Sequence, residues 1–407
     1  MTLVVQKYGG TSVADPERIR QVAVRIKRHV AAGEQVAVVV SAMAGTTNQL
    51  VKWVTELDPA GYDAAEYDQV VASGEQVTIG LLAIALQTIG VPAMSFLGWQ
   101  AGFQTDSAHS KARILDVDAS SVRRALEDGC VAVVAGFQGL SPAGRVATLG
   151  RGGSDTSAVA LAAALKADRC DIFTDVEGVY TTDPRIVAKA RKLDRITYEE
   201  MLEMASLGAK VLQTRSVALA MAHKVRVQVL SSFVDKPGTL VTDEDEIVES
   251  QIVSGIAYSR DEARLTIAQV QDRPGVAAAI FGPLAEANIN VDMIVQSVSR
   301  DGKTANLTFT VNRTELPRAL ATLERAREQL AYDRVVADDN VVKISLVGVG
   351  MRSHAGIAHK MFATLAAKGI NIQAISTSEI KVSVLIAEEY TELALRSLHT
   401  AYGLDGA

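Results

Sequence analysis

The chain has 407 residues, of which 48% are hydrophobic and 22% charged, and its formal net charge is −6. This composition predicts a globular protein of about two or three domains, and the absence of a basic cluster argues against a nucleic-acid-binding protein. The start of the chain lacks the layout of a signal peptide and no apolar run suggests a membrane span, so we expect a cytoplasmic protein.

Up to about residue 245, predicted strands alternate with predicted helices. Strands are predicted at 3–6, 35–40, 131–135 and 171–174, and helices at 16–32, 48–57, 63–89 and 156–167. This alternation predicts an α/β/α sandwich around a mostly parallel sheet. Ligands of such sheets bind at the carboxyl ends of the strands. Arg25, Lys27 and Arg28 are interpreted as the exposed face of the first helix.

Two blocks combine paired glycines with hydroxyl groups and a cation, each between an apolar run and a helix. The first is Lys7-Tyr8-Gly9-Gly10-Thr11-Ser12, and the second, 148–157, contains Gly150-Arg151-Gly152-Gly153-Ser154-Asp155. Glycines let the backbone approach an anion, and the N–H groups that open the following helix point toward it. The first block is not a P-loop, because its lysine precedes the glycines. Alone it also fits a tight turn with a solvated lysine, but together the blocks predict one phosphate site.

Other polar side chains follow the remaining strands or lie in nearby helices. They are Ser41, Thr47, Glu75, Thr174, Asp175, Tyr180 and Arg185. Phosphoryl transfer depends on charge neutralisation and positioning, which Lys7 and glycine amides supply. Asp155 and Glu75 would organise Mg²⁺ or a substrate ammonium, and Arg151 offers a planar fork for a carboxylate. The residue types alone do not decide which of these groups each side chain binds.

The region after the acidic stretch 242–249 contains an internal repeat. Gly275 and Gly356 each open a predicted helix at an offset of 81 residues, and Leu284 and Leu365 match at the same offset. Each copy predicts a ferredoxin-like β-α-β-β-α-β unit. The second copy ends one strand short, and the apolar run 252–258 is predicted to supply that strand. The expected domains are therefore 1–245, a nested copy one at 264–338, and a copy two made of 250–263 plus 339–407.

These motifs resemble a known family. The block Lys7–Ser12 is similar to the signature of aspartate kinases in the amino-acid kinase superfamily, as are 148–155, 173–180 and 183–185. The repeated C-terminal units resemble paired ACT domains, which bind amino acids. The resemblance covers essentially the whole chain and, without a dehydrogenase extension, indicates the monofunctional type.

The resemblance implies that ATP, with Mg²⁺, phosphorylates L-aspartate to 4-phospho-L-aspartate, the first step toward lysine, threonine and methionine. It implies catalytic roles for Lys7, Glu75 and Asp155, and no residue is assigned as a direct metal ligand. Aspartate would be bound by Ser41, Thr47, Glu75, Arg151 and Ser154. ATP would be bound by Lys7, Tyr8, Gly9, Gly10, Thr174, Asp175, Tyr180, Arg185 and Lys210.

The ACT resemblance implies feedback inhibition by lysine and/or threonine. The candidate effector residues flank the turn and second strand of each copy: Asp272, Asn290, Asp292, Gln296, His354, Asn371, Ile372, Ser378 and Glu379. The two asparagines also fit simple turn positions. The implied partners are L-aspartate, the effectors, and either further copies of the chain or a separately made C-terminal ACT subunit.

Each candidate also has a structural explanation. Glu75 fits a solvated helix residue, Asp155 a helix cap, Arg185 a turn residue, Lys210 an exposed lysine and Tyr180 a core residue. Two other functions compete: a kinase of the same fold for glutamate, acetylglutamate, carbamate or a nucleoside monophosphate, and an amino-acid sensor with an inactive kinase domain. The ACT pair and the first glycine block argue against the former. The intact Lys7, Arg151 and Asp155 argue against the latter.

Overall fold

The computed structural model describes residues 1–209, 211–244, 252–299, 302–330 and 332–405. Within them the chain forms two compact units. The first comprises residues 1–179, 192–205 and 211–244, and the second comprises residues 180–191, 206–209 and the described residues from 252 onward.

Up to residue 244 the helices and strands alternate much as the sequence predicts. In chain order they are β1 (Leu3–Tyr8), α1 (Pro16–Ala31), β2 (Gln35–Val40), α2 (Thr46–Leu57), α3 (Ala64–Val71), α4 (Ser73–Thr88), β3 (Ala93–Phe96), β4 (Phe103–Thr105), β5 (Ile114–Val117), α5 (Ser120–Glu127), β6 (Val131–Ala135), β7 (Gln138–Leu140), β8 (Val146–Thr148), α6 (Gly153–Leu165), β9 (Arg169–Thr174), β10 (Arg195–Thr197), α7 (Tyr198–Ser206), α8 (Thr214–His223), β11 (Val227–Ser231) and β12 (Thr239–Thr242).

Eight of these strands form one sheet in the order β10-β12-β11-β9-β1-β2-β6-β3. Neighbouring strands are parallel except β11 and β12, which confirms the predicted mostly parallel sheet. Strand β6 is apolar along its whole length and β2 is apolar after Gln35, because helices cover both faces of the sheet. Strands β1 and β9 also carry Gln6, Lys7 and Asp171. The ends of β1, β2, β6 and β9 therefore meet at one edge, where the polar blocks follow.

The main core of this unit lies between the sheet and helices α1 and α4. Val38 and Val133 from the sheet contact the cluster that includes Ile26 from α1 and Leu82 from α4. Helix α1 begins after Asp15, whose side chain accepts a hydrogen bond from the Arg18 N–H at 2.8 Å. A carboxylate at this position satisfies an N–H group that the helix leaves free.

The predicted helix 63–89 is two helices, α3 and α4, which meet at Ala72. By length and composition, residues Ala64–Thr88 would suffice to cross a membrane, contrary to the sequence-based expectation. Half of the most apolar window is buried inside the protein, and Ile79, Leu82 and Leu86 belong to the main core. The stretch therefore serves this unit as a core helix pair.

A second sheet of four short strands has the order β5-β4-β7-β8. Strand β8 leads directly into the second glycine block, and the antiparallel pair β7–β8 fixes its register by pairing Gln138 with Thr148. The sequence did not predict this sheet, because its strands have only three or four residues. Such strands are too short to show an alternating pattern.

The second unit is built around one antiparallel sheet. Its elements are β13 (Gly255–Gln271), α9 (Val276–Glu286), β14 (Val291–Val298), β15 (Thr304–Asn312), α10 (Leu316–Arg325), α11 (Arg327–Leu330), β16 (Arg334–Val347), α12 (Ile357–Ala366), β17 (Ala374–Thr377), β18 (Lys381–Ala387) and α13 (Thr391–Ala401). The strand order is β14-β15-β13-β16-β18-β17.

The run 252–258 pairs with copy two, as the sequence predicts. Ile256 lies opposite Leu346, and Tyr258 lies opposite Ile344. The predicted separation into short strands is wrong, however. This run continues into the first strand of copy one as β13, and the last strand of copy one continues into copy two as β16. The connecting residues 259–263 and 337–341 contain neither glycine nor proline, so the strands continue through them, with shifts in pairing register between Ser259 and Arg264.

Each copy nevertheless has its own hydrophobic core. Ile280 and Leu284 of α9 contact the core of copy one, and Met361 and Leu365 of α12 contact that of copy two. Leu284 and Leu365, which match in the repeat, are both completely buried. The repeat in the sequence is thus a repeat of core positions.

Candidate active site

The first glycine block follows β1 in the middle of the sheet, where it meets the start of α6. The Lys7 ammonium lies 2.6 Å from Asp155 Oδ1, and the two side chains are only 12% and 11% exposed. A Cβ on Gly10 would lie 2.9 Å from the Ala42 carbonyl oxygen, so a side chain there would push the neighbouring loop away. The block therefore places a cation against a helix N-terminus, which suits phosphate binding, while the Gly9 N–H donates to the Phe173 carbonyl at 3.4 Å.

Glu75 lies in the first turn of α4 and is not solvated, because only 3% of the residue is exposed. Its Oε1 accepts a hydrogen bond from the Ala42 N–H at 2.9 Å, whereas Oε2 is buried with no hydrogen-bond partner among the described residues. Burial raises the pKa of this carboxyl to about 7. A buried carboxylate oxygen without a partner suits a ligand that brings a positive charge.

The loop after β2 is hydrogen-bonded both to Glu75 and to the first glycine block. Ser41 donates its N–H to the Tyr8 carbonyl at 3.1 Å, and the Ala42 N–H donates to Glu75 Oε1 at 2.9 Å. Thr47 follows in the first turn of α2 and is partly buried. This loop therefore lies between the Glu75 carboxylate and the first glycine block, which contains Lys7.

Arg151 lies in the loop between β8 and α6, between Gly150 and Gly152. Both glycines have left-handed backbones, with φ of 74° and 73°, which other residues adopt only with strain. Arg151 is exposed, and its guanidinium has no hydrogen-bond or ion-pair partner among the described residues. Ser154 and Asp155 are buried in the first turn of α6. The loop thus presents a free planar cation beside the Lys7–Asp155 pair.

Two nucleotide candidates lie at the end of β9, beside β1. The Thr174 hydroxyl donates to Asp175 Oδ1 at 3.1 Å, and the Thr174 carbonyl accepts from the Ser232 N–H at 2.8 Å. The Tyr8 side chain is completely buried and stacked on Phe173, with ring centroids 4.6 Å apart. Tyr8 can therefore contact a nucleotide only through its backbone atoms.

Tyr180 and Arg185 belong to the second unit. Arg185 is paired with Asp183 at 2.8 Å, and Asp183 also accepts a hydrogen bond from the Tyr258 hydroxyl at 3.2 Å. In the same segment, the Thr181 hydroxyl lies 2.9 Å from Nε2 of the buried His399. Lys210 lies outside the described residues. Thr174 and Asp175 therefore lie at the edge of the large sheet, whereas Tyr180 and Arg185 lie in a segment of the second unit.

Arg25 corrects one sequence interpretation. It was expected on the exposed face of α1, but its guanidinium donates to the Ser231 and Ser232 carbonyls at 2.8 and 3.3 Å. It also lies 5.0 Å from the centre of the Phe173 ring. The signal in the sequence was its position one residue before the buried Ile26, on the border of the apolar face. Arg25 braces the strand ends β9 and β11 beside the nucleotide candidates.

The candidate effector residues form two groups within the second unit. In copy one, Gln296 donates to Asp272 at 3.3 Å, and Asp292 Oδ2 accepts from the Lys343 ammonium at 2.9 Å. Lys343 belongs to β16 and also pairs with Glu262 at 2.6 Å. Burial alone would raise the pKa of Asp292, but the hydrogen bond and charge of Lys343 hold it below its usual value.

In copy two the candidates are exposed, as they are in copy one, except that Ile372 is partly buried. The Glu379 carboxylate lies 3.5 Å from Arg352 Nε, and His354 Nδ1 lies 2.8 Å from the Gly350 carbonyl oxygen. Asn290 and Asn371 are exposed at the ends of the turns that precede β14 and β17. Among the described candidates, Asp292 of copy one pairs with a buried cation, since the Lys343 side chain is 7% exposed although that of Asp292 is 60% exposed.

Comparisons with known proteins agree with the fold. A model of the amino acid kinase family matches residues 2–231, and two ACT-domain models match residues 264–328 and 344–402. These matches define the class: a phosphotransferase of the amino acid kinase family followed by ACT domains.

Proteins that are similar over the full length of this chain identify the family within that class. An aspartate kinase of Stutzerimonas stutzeri is 56% identical over 406 residues, which is 100% of this chain and 98% of the relative. An aspartokinase of Pseudomonas aeruginosa is 56% identical over 407 residues, with the same coverage. The crystal structure of E. coli aspartokinase III in complex with aspartate and ADP (R-state) has a TM-score of 0.81 at 28% identity, covering 98% of this chain and 99% of that chain. The chain belongs to the aspartate kinases.

Proposed function

We propose that this aspartate kinase transfers the γ-phosphoryl group of ATP to the side-chain carboxylate of L-aspartate through the residues described above. The observation that carries the proposal is the combination of the nearly buried Lys7–Asp155 pair with a Glu75 oxygen and an Arg151 guanidinium that have no partner among the described residues. These groups match the charges of ATP and aspartate. The Lys7 ammonium faces phosphate, the Glu75 carboxylate faces the aspartate ammonium, and the planar Arg151 guanidinium faces the α-carboxylate.

Each residue has a distinct task. Lys7 stabilises the charge on the transferring phosphoryl group, and the amides of Gly9 and Gly10 bind its oxygens. Glu75 holds the ammonium of aspartate, and Arg151 binds its α-carboxylate. Ser41, Thr47 and Ser154 line the substrate. The aspartate side chain is already a nucleophile near neutral pH, so no general base is required.

ATP occupies the edge of the sheet next to β9. Thr174 and Asp175 contact the nucleotide, and Tyr8 contributes through its backbone. The assignments of Tyr180, Arg185 and Lys210 rest on the family resemblance alone.

The residues fit a magnesium ion that arrives with ATP. Mg²⁺ in such sites is bound by one or two carboxylates together with phosphate oxygens. Asp155 is a buried carboxylate beside the phosphate block and would hold the ion or orient Lys7. Among the described residues, no group of three or more His, Cys, Asp or Glu side chains could hold a metal ion, which fits an ion held mainly by the nucleotide. When bound, the ion neutralises phosphate charge.

We further propose feedback control in the cytoplasm by lysine, threonine or both, bound to the ACT domains, with the product entering lysine, threonine and methionine synthesis. The crystal structure of E. coli aspartokinase III in complex with lysine and aspartate (T-state) supports this, with a TM-score of 0.76 at 28% identity over 98% of this chain and 99% of that chain. The proposed assembly is a homo-oligomer or a complex with a separately made ACT subunit.

The test is ADP release by the purified chain with MgATP and a panel of acceptors, with and without lysine and threonine. We expect turnover with L-aspartate and trapping of the acyl phosphate by hydroxylamine. Preference for glutamate, acetylglutamate, carbamate or a nucleoside monophosphate would indicate the competing kinase. Amino-acid binding without turnover would indicate the competing sensor.

A further inference from the structure

Asp68 is a buried charge to which neither the sequence nor the reaction assigns a role. It lies on α3, seven residues before Glu75, and it is completely buried. Its carboxylate accepts hydrogen bonds from the Thr148 hydroxyl, from the Thr148 N–H at 2.9 Å and from the Ser110 N–H at 3.0 Å, and it lies 2.9 Å from His109 Nδ1. A carboxylate has room for about four such bonds, so Asp68 is saturated.

The partners of Asp68 belong to two loops that lie against each other. Thr148 begins the loop that carries Arg151, and Ser110 lies in the loop between β4 and β5. The Ala112 N–H donates to the Thr148 carbonyl at 2.9 Å. A Cβ on Gly150 would lie 3.0 Å from the Ser110 carbonyl oxygen. Asp68 is thus the buried anchor that fixes both loops to α3.

The backbone of Ser110 is strained, with a φ of 66° in the left-handed region. For a residue with a Cβ this conformation costs about 1–2 kcal/mol. Such strain persists where the surroundings hold the residue in place, and it concentrates at functional sites. The hydrogen bonds from the N–H groups of Ser110 and Thr148 to Asp68 supply that restraint.

The same loop is held from the opposite side by α8. The Arg215 guanidinium donates to the Leu149 carbonyl at 2.5 Å and to the Ala112 carbonyl at 2.9 Å. A Cβ on Gly152 would collide with the side chain of Gln213. The backbone on each side of Arg151 is therefore fixed, whereas the Arg151 side chain is free.

We propose that Asp68 is a positioning residue for the substrate: by fixing Thr148 and Ser110 it sets where the Arg151 guanidinium meets the α-carboxylate of aspartate. The proposal rests on the role of Arg151 given under the proposed function. Small displacements of a binding group have large effects on reactivity, because productive binding depends on geometry at the scale of 1 Å.

The first test is Asp68→Asn, which keeps the size of the side chain but turns one acceptor into a donor that faces the N–H groups of the loops. We expect the aspartate KM to rise at least ~10-fold, with the ATP KM changed less than about twofold. Glu66→Gln is the matched control, since it removes the same charge from the same helix at an exposed position. A purely structural role would lower the amount of active enzyme without this selective change in KM.

A second pair of variants decides the question if Asp68→Asn does not fold. Thr148→Val removes the hydroxyl donor to Asp68 at nearly constant volume, and Thr148→Ser retains it. We expect Thr148→Val to raise the aspartate KM about 3–10-fold and Thr148→Ser to restore the wild-type value, because one buried hydrogen bond is worth roughly 0.5–1.5 kcal/mol. Equal KM values in both variants would contradict the proposal.

A double-mutant cycle separates this proposal from the one on which it rests. Because Asp68 acts through Arg151, Asp68→Asn should raise the aspartate KM little further in an Arg151→Ala background. The same rise in both backgrounds, or an unchanged KM in the folded Asp68→Asn enzyme, overturns the positioning role alone. An Arg151→Ala enzyme with an unchanged aspartate KM overturns both proposals.

Discussion

At the scale of single residues, the site depends on opposite charges that are removed from water before any substrate binds. Lys7 and Asp155 form a nearly buried pair at 2.6 Å, and burial of such a pair costs desolvation energy on both sides. In the proposed mechanism the pair holds the Lys7 ammonium where phosphate charge develops, so that no reorganisation is needed at the moment of transfer.

Lys7→Ala should lower kcat at least ~100-fold, because a preorganised charge at a transferring group typically contributes that much. Circular dichroism should show that the variant retains its fold. Lys52→Ala is the control, since Lys52 is exposed and pairs with Glu56 on the same helix. Turnover at the wild-type rate in the Lys7 variant would exclude Lys7 from the mechanism.

Glu75 should make aspartate binding depend on pH. Burial raises its pKa to about 7, so the carboxylate that binds the ammonium is lost as the pH falls below 7. The aspartate KM of the wild type should then rise about tenfold per pH unit. In Glu75→Gln the KM should be high at every pH, and initial rates from pH 5.5 to 8.5 would show whether the dependence disappears.

Thermal unfolding provides an independent check on the same variant. A carboxyl whose pKa is higher in the folded than in the unfolded chain destabilises the fold as the pH rises from 4.5 to 7. Between pH 5 and pH 8 the wild type should therefore lose roughly 2–3 kcal/mol relative to Glu75→Gln. If the free energy of unfolding of the two proteins changed with pH in the same way, the Glu75 carboxylate would not be an unpaired buried charge.

At the scale of helices and strands, predictability follows the length of the pattern. The sequence predicts strand β2 to the residue, because the five apolar residues 36–40 between Gln35 and Ser41 leave little ambiguity. The strands β7 and β8 have three residues each and show no period. Asp68 was missed for a related reason: a charged residue in a helical stretch suggests a solvated face, and only the tertiary structure places it against Thr148.

The shared strands lead to a prediction about cleavage. A protease site introduced near residue 338 would cut β16 between its two halves, and β13 pairs with both halves. The two fragments should therefore remain associated after cleavage, as gel filtration under native conditions would show. A cut in the loop between α9 and β14 is the control for general loosening. Separation of the fragments at micromolar concentration would contradict the role of β13.

At the scale of the whole molecule, a kinase unit and a regulatory unit are built from one chain. Within the regulatory unit, Asp292 of copy one bonds Lys343 in the strand that opens copy two. An amino acid that engages Asp292 therefore acts on both copies. Coupling energies of about 1–3 kcal/mol correspond to inhibition by roughly 5–150-fold.

Asp292→Ala and Glu379→Ala should each relieve inhibition by lysine and threonine without lowering the uninhibited kcat. The expected change is a rise of about 5-fold or more in the concentration for half inhibition. Asp261→Ala, at an exposed position on β13, is the control. Competition between the effector and aspartate at Arg151, or no amino-acid binding by calorimetry, would leave the ACT pair as an assembly module.

The continuous strand β13 also sets the order of events during synthesis. Its residues 255–259 pair with residues 343–347 of β16, which leave the ribosome almost 90 residues later. At about 5–20 residues per second, the first half of this strand waits several seconds for its partner. During that interval copy one can complete its own core, whereas the nascent chain carries an unpaired apolar strand edge beside it. The strand arrangement therefore makes this segment a target for chaperones during synthesis. It also makes the folding yield sensitive to codon choice between residues 260 and 343.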